Sequence, residues 1–246
     1  MAAPELLSDE GFRADGRRPG ELRKVRARMG IFSQADGSAY IEQGNTKALA
    51  VVYGPHELRG SRWKAPPERA LVNSRFGLAP FSSGERRRRP HGDRACGELG
   101  SRLQETFEAT ILTHLFPRSQ IDIYVQVLQS DGGNYCAAVN AASLAVLDAG
   151  IPVRDLVVAG SAGLASDEAE TPPLADLSGS EEASGAPQVT VALLPATGTL
   201  ASVTSSSRLH RERLEAALEA ASEAGRGLHA VLERVVRERL REGGGE

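Results

Sequence analysis

The chain is poor in the residues that would make several functions obvious. Among 246 residues it has two cysteines, two methionines and one tryptophan, and aromatics make up 4% of the whole. Two cysteines, Cys96 and Cys136, cannot build a disulfide framework, and no Cys/His spacing of the structural-zinc kind is present, so both are expected to be reduced and structural. No apolar run approaches the roughly 20 residues needed to cross a bilayer. The opening Met1-Ala-Ala-Pro-Glu-Leu-Leu lacks the basic and apolar regions of a secretory signal. The expectation is a soluble intracellular globular chain with no membrane partner. Net charge is only −3, so nucleic-acid binding would have to come from local basic loops rather than from the overall field. The five histidines form no catalytic constellation, and Ser, His and Asp are too scattered for a hydrolytic triad.

What is present is an ordered series of elements. Residues 1–20 read as a polar tail that docks late, with Arg13-Ala-Asp-Gly-Arg-Arg18 as its distinctive piece. Ala39 to Ile41 and Ala48 to Tyr53 read as an antiparallel pair joined by a turn containing Gly44 and Asn45. From Leu99, the apolar residues Leu103, Phe107, Ile111, Leu112 and Leu115 recur at helical spacing, and Pro117 closes the helix. Ile121, Ile123, Val125 and Val127 then alternate with polar residues, the signature of a half-buried strand. After it, Ser130-Asp-Gly-Gly-Asn-Tyr-Cys136 leads into a helix of small residues stopped by Gly150 and Pro152.

The second half repeats the order loosely. Its strand candidates are Leu156 to Ala159, Val189 to Leu194 and Thr199 to Val203, followed by a long helix carrying Leu214, Leu218, Leu228, Leu232 and Leu240 on one side. The reading is an α+β chain of two related halves, 21–155 and 156–241, with a short tail at 242–246. Residues 165–187, rich in Ser, Pro, Ala and acids, read as a surface loop interrupted by the strand-like Leu174-Ala-Asp-Leu177.

A strand that ends in a glycine turn and runs into a helix presents open backbone N–H groups, a natural seat for phosphate. The residue best placed to add charge there is Tyr135, which is neutral, so geometry and charge disagree. Taken alone, the turn is as well explained as a tight strand-to-helix connection. The strongest electrostatic feature is Arg86 to Arg89 with Arg94, and a second basic loop carries Arg59, Arg62, Lys64 and Arg69 beside Trp63. Such loops suit sequence-independent contacts to single-stranded RNA. A four-arginine run is also compatible with a solvated or partner-facing face or an import signal, and Trp63 with packing against its own loop.

Asp15-Gly-Arg17, Asp36 to Lys47, Phe116-Pro-Arg118, Ile121-Asp-Ile123, Gln129-Ser-Asp-Gly-Gly133 and Asp148-Ala-Gly-Ile-Pro152 resemble the ribonuclease PH family in order and spacing over nearly the whole chain. Within it, the likeness is greatest to the ring subunits of the eukaryotic RNA exosome. The resemblance implies the ribonuclease PH fold, of the ribosomal protein S5 domain 2-like type with two βαβ-like halves, and a six-membered ring with an RNA channel. Implied partners are other ribonuclease PH-like subunits, S1/KH cap subunits, an associated hydrolytic nuclease and single-stranded RNA; implied places are the nucleus, nucleolus and cytoplasm. Active members cleave RNA from its 3′ end with phosphate as nucleophile and a divalent metal nearby.

Carried over position by position, Gly132, Gly133 and Asn134 retain the phosphate cradle, Tyr135 replaces the phosphate-binding arginine, and Cys136 replaces a small hydroxyl residue. Asp176 matches the first carboxylate and Glu182 replaces the second aspartate. Arg94 matches an RNA-contacting arginine, whereas Ala95 stands at a second basic position. The resemblance therefore implies a subunit for rRNA maturation and mRNA decay that binds RNA without turnover, with no cofactor or metal and with Asp176 and Glu182 as vestiges. The alternative is an active phosphate-dependent 3′ to 5′ exoribonuclease using Mg²⁺ and phosphate. A freestanding RNA-binding module is disfavoured by the family's habit of pairing its subunits.

Overall fold

The computed structural model describes residues 6–8, 10–57, 68–84, 86, 93–164 and 171–243. Among the described residues nine strands form two sheets, with four α-helices packed on them. The first has the order β1(Val25–Met29), β2(Gly37–Gln43), β3(Thr46–Glu57), β5(Ser119–Gln129), β4(Leu71–Leu78). All its neighbours are antiparallel except β4 and β5. The second sheet, β7(Leu174–Ala175), β6(Val158–Gly163), β8(Gln188–Leu194), β9(Thr199–Ser205), is antiparallel throughout. The helices are α1(Arg94–Thr110), α2(Asn134–Asp148), the short α3(Gly179–Ala183) and the 33-residue α4(Arg211–Gly243).

Helix α2 is the centre of the molecule. Every residue from Tyr135 to Val146 is buried, because α2 packs on β2 and β3 on one side and on β6 on the other. Its small residues permit this approach: any side chain at Gly37 of β2 would run into the α2 backbone at Ala145 and Ala149. The few polar groups of α2 are matched to β6 and the chain leading into it. Asn140 accepts from the Ala159 N–H at 2.8 Å and donates to its carbonyl at 3.2 Å, and Ser143 donates to the Val157 carbonyl at 2.7 Å. Buried amides and hydroxyls are thus satisfied while stitching the halves together.

Several elements differ from the periodicity reading. Helix α1 begins at Arg94, capped by Asp93, and ends at Thr110; Ile111 is already extended, with ψ 140°. It stops there because Leu112 turns away to bond the Pro152 carbonyl, leaving only a 3₁₀ turn at Thr113–Leu115 before Pro117. Strands β1 and β4 have no counterpart in the periodicity reading. Both are edges of the first sheet, where polar residues such as Arg26, Arg28, Ser74 and Arg75 blunt the pattern. Strand β6 lies two residues later than expected and is buried along its length, so it has no alternation to read.

The strand-like Leu174-Ala-Asp-Leu177 is strand β7 with the two residues after it, the loop reading of 165–187 is corrected at 179–183, which form α3 with Glu181 buried, and residues 165–170 lie outside the described set. Leu174, Asp176, Leu177 and Glu181 are buried, because β7 joins the second sheet and α3 tucks under the glycine turn. The described part of the 1–20 tail is docked on the body of the molecule. Arg13 is 3% exposed, and the Ala175 N–H donates to the Pro19 carbonyl at 2.8 Å.

Candidate functional site

The site is built where β5 ends. Gly132 and Gly133 both adopt left-handed conformations, φ 78° and 61°, a reversal that side chains resist. The turn is held on every side. The Asp131 N–H donates to Thr46 Oγ1 at 3.2 Å, Asp131 accepts from Gly179 N–H and Asn45, and Thr46 Oγ1 donates to the Gly132 carbonyl at 2.7 Å. Gly133 caps α2 with no side chain of its own, leaving its N–H pointing outward with the positive end of the helix.

The structure brings Glu182 to that N–H. Glu182 Oε1 accepts from Gly133 N at 2.8 Å, so the chain's own carboxylate sits at the mouth of the phosphate seat. Burial pushes the Glu182 carboxyl up, and the nearby Asp131 and Asp176 charges reinforce that shift beyond what Gly133 N–H and Arg23 offset. Tyr135 turns the other way. It is 8% exposed, and its hydroxyl lies 3.2 Å from Thr106 Oγ1, tying α2 to α1. The arginine position of the resemblance is therefore filled by a core residue that presents nothing to an anion. Asn134 spends its amide on Ser130 Oγ at 2.8 Å. Cys136 is fully buried, and burial, with Asp176 and Glu182 nearby, pushes its thiol up to about 12, so it is a neutral core group.

Asp176 is the most heavily engaged group. It has φ 51°, unusual for a residue with a side chain, and is 1% exposed. Arg23 donates to it three times, from backbone N and Nε to Oδ2 at 3.0 Å each and from Nη2 to Oδ1 at 2.7 Å; Gln43 adds Oδ1 at 3.0 Å. The same guanidinium reaches the Asp131 carbonyl at 2.6 Å and the Gly132 carbonyl at 3.3 Å, fastening the glycine turn to the carboxylate. Arg13 forks onto Glu181 and onto the carbonyls of Ala175 and Asp176, and Arg17 adds the Asp176 carbonyl at 3.0 Å. Three arginines from residues 13–23 thus converge on one acidic turn, and periodicity reading misses Arg23 altogether. The signal available was an arginine preceding a strand, which is weak on its own.

These contacts decide what the site can hold. A divalent cation needs free carboxylate oxygens in near-ideal geometry. Both oxygens of Asp176 already accept from two donors and Glu182 Oε1 accepts from Gly133 N–H, which leaves Glu182 Oε2 as the one open oxygen of the pair, fewer than a divalent cation needs. Among the described residues no group of three or more His, Cys, Asp or Glu is poised to hold one. The Glu182 carboxylate occupies the Gly133 N–H that a phosphate would use, and among the described residues no cationic fork replaces the one that Tyr135 lacks. Of the basic-loop residues, Arg69, Arg86 and Arg94 are described and exposed, Arg94 at the first turn of α1. Arg59, Arg62, Arg87, Arg88 and Arg89 lie outside the described residues, as do Trp63 and Lys64.

The Arg13–Glu181 pair has a consequence in acid. Burial alone would raise the Glu181 carboxyl, but the Arg13 hydrogen bonds and charge, with the Ser178 N–H, outweigh it and hold the group below its ordinary 4.5. A lowered folded value means the pair's contribution is full above about pH 4.5 and is lost as pH falls through the folded value. Arg13→Ala should therefore unfold more readily at neutral pH and show a flatter acid limb than the parent, checked by urea melts from pH 7 to pH 3. Parallel limbs for the two chains would refute the coupling.

Comparison with known proteins places the geometry in context. Residues 21–152 match the first domain, and residues 155–224 the second domain, of the 3′ exoribonuclease family model. The chain is 65% identical over 242 residues to exosome complex component RRP41 of Homo sapiens, covering 98% of this chain and 97% of that one. It is 44% identical to the RRP41 homolog of Arabidopsis thaliana over 238 residues, covering 97% and 95%. Among solved structures, rice Rrp46 superposes with a TM-score of 0.78 at 24% identity, covering 91% of this chain and all of that one. The Archaeoglobus fulgidus exosome with RNA bound to the active site gives 0.75 at 21% identity over 90% and 92%. At those identities the two structures speak to the fold alone.

Proposed function

The chain belongs to the ribonuclease PH family of 3′ exoribonucleases, and on that premise we propose that it is a ring subunit of the RNA exosome that grips single-stranded RNA without cleaving it. Identity to RRP41 subunits over nearly the full length supports the assembly part of this reading. Its companions are other ribonuclease PH-like subunits closing a six-membered ring, S1/KH cap subunits and a hydrolytic nuclease that receives the RNA. The roles that follow are rRNA maturation and mRNA decay in the nucleus, nucleolus and cytoplasm. The exposed Arg86 and Arg94, with the basic residues around them in sequence, supply the RNA-facing charge.

The observation that carries the non-catalytic half is the filled seat. Glu182 accepts from Gly133 N–H where phosphate would be cradled, and Tyr135 points into the core at the position of the missing arginine. Phosphorolysis brings two anions together, and one preorganised charged contact contributes about 3–4 kcal/mol, roughly two to three decades in rate. Here the contact is absent and a carboxylate opposes the nucleophile.

The test uses the chain assembled with its ring partners and no hydrolytic nuclease, given 3′-ended single-stranded RNA, Mg²⁺ and phosphate. The expected result is RNA retention with no nucleoside diphosphate. Diphosphate that disappears when phosphate is omitted, and that Glu182→Ala alters, would instead establish an active phosphorolytic site.

A further inference from the structure

The first sheet has a second face, turned away from α2, that no helix covers among the described residues beyond the first turns of α1 at its β4 edge. Its inner residues, Ala48, Ala50, Val52, Ile123, Val125 and Val127, are buried toward α2. The strand register places their outward neighbours in rows: Arg28, Tyr40, Leu49, Gln126 and Gly77 in one, and Ser38, Val51, Tyr124 and Arg75 in the next. Between this face and the first turns of α1 lies a groove of about 550 Å³, lined by Val51, Arg75, Tyr124 and Gln126 from the sheet and by Asp93 and Gly97 from the helix side. That volume falls within the range of ligand pockets, about 300–1,000 Å³.

The chemistry of the groove is specific. Tyr124 and Tyr53 are 37% and 39% exposed and meet edge to face, centroids 6.1 Å apart at 71°. Arg75 is exposed, with its guanidinium carbon 6.0 Å from the Tyr124 ring centroid, and it makes no ion pair among the described residues. The Gln126 carboxamide lies against Gly77 with no hydrogen-bond partner among the described residues. The cationic character continues across the same face through Arg26 and Arg28 of β1 and Lys47 of β3. The face also carries acids: Glu42 accepts from the Tyr40 hydroxyl at 2.8 Å, Asp122 from Asn73 and Gln120, and Asp93, on the helix side of the groove, from the Ala95 N–H.

We infer that this groove is a single-stranded RNA subsite, separate from the glycine turn. One base stacks on Tyr124, Gln126 meets its edge with both a donor and an acceptor, and Arg75 leaves the ring to pair with the adjacent phosphate. Stacking on an aromatic with a cation beside it is tolerant of sequence, as a strand-guiding surface requires. A polyanion suits a face on which Arg26, Arg28, Lys47 and Arg75 outnumber the acids Glu42, Asp93 and Asp122 better than a protein or an apolar ligand does. The inference rests on the RNA-binding reading above and extends it to a surface formed by β3, β4 and β5.

The full chain would be titrated with a labelled oligouridylate, and a 4-thiouridine version would be crosslinked and the adducts mapped. Arg75→Glu should weaken binding about ten-fold and reduce the salt slope by about one. Tyr124→Leu, which keeps the apolar contact and removes the stacking ring, should weaken it about five- to ten-fold. Crosslinks should fall on Tyr124 or its strand neighbours. Circular dichroism and melting would confirm that both variants are folded. Parental affinity in both variants, with crosslinks confined to the segment around Arg94, would overturn the subsite while leaving RNA binding by the chain intact. If neither the chain nor its ring assembly bound RNA at any salt concentration, the subsite and the proposed function would fall together. If Tyr124 and Arg75 were covered by a neighbouring subunit in the ring and crosslinked to it, the groove would be a protein interface and the inference wrong.

Discussion

Arg23→Ala should destabilise the chain by about 3–5 kcal/mol, the range for removing one partner of a buried, hydrogen-bonded ion pair. Arg23 and Asp176 are both buried, and the guanidinium also satisfies the Asp131 and Gly132 carbonyls. The alanine chain would leave a carboxylate 1% exposed with Gln43 and a single backbone N–H as its remaining donors. It would also leave Asp176 and Glu182 without the cation that moderates their mutual repulsion, so the Glu182 carboxyl, already raised, should rise further. Arg23→Lys keeps the charge but cannot fork to both carboxylate oxygens and two carbonyls, so it should fall between the two. Replacing both partners, Arg23→Met with Asp176→Asn, removes the buried charges together while keeping a residue type that tolerates φ 51°, and should recover part of the loss, the Asp131 and Gly132 carbonyls still lacking their donor. Urea unfolding of the four chains at neutral pH measures this. A loss below about 1 kcal/mol for Arg23→Ala would show that Asp176 finds water or another donor, and the pair would not be the clasp described here.

The same pair shows where reading the sequence stops. Alternation identifies β5 and apolar spacing identifies the body of α1 because each has one wet and one dry face. It fails for β6 and for the edge strands β1 and β4, the first dry along its length and the others interrupted by polar groups. At the candidate site, residue identities are readable: Gly132, Gly133, Tyr135, Asp176 and Glu182 can be picked out, and Tyr135 registers as a missing charge. Where the side chains go is not readable. Whether Tyr135 faces an anion or the core depends on Thr106, 29 residues earlier. Whether Asp176 and Glu182 are solvated acids or sealed ones depends on Arg23 and Gly133, 153 and 49 residues away. Acid-rich composition at 165–187 points to a surface, yet the local pattern carries no trace of the arginines that bury Asp176 and Glu181.

Gly132→Ala should destabilise the chain by about 2–5 kcal/mol, from two sources that act together. A side chain at φ 78° incurs a left-handed backbone cost of about 1–2 kcal/mol. Its Cβ would also lie 2.6 Å from the Leu177 carbonyl oxygen and 2.7 Å from Gly179 N, backbone atoms that have no rotamer to escape into. Overpacking of that kind costs a further 1–3 kcal/mol or so. The segment that must yield is the one carrying Asp176 and Glu182, so relief of the clash would push α3 away from the helix start and lengthen the Gly133 N–H to Glu182 bond. Gly150→Ala is the matched control. It has φ 69° and nothing within 4 Å of the added methyl, so it should show the backbone cost alone. Equal losses in the two variants would mean that the turn and the acidic segment are not in contact as described. A clear excess for Gly132→Ala, with faster amide exchange at Gly133 than in the parent, would show that the seat is kept shut by packing between these two stretches of chain.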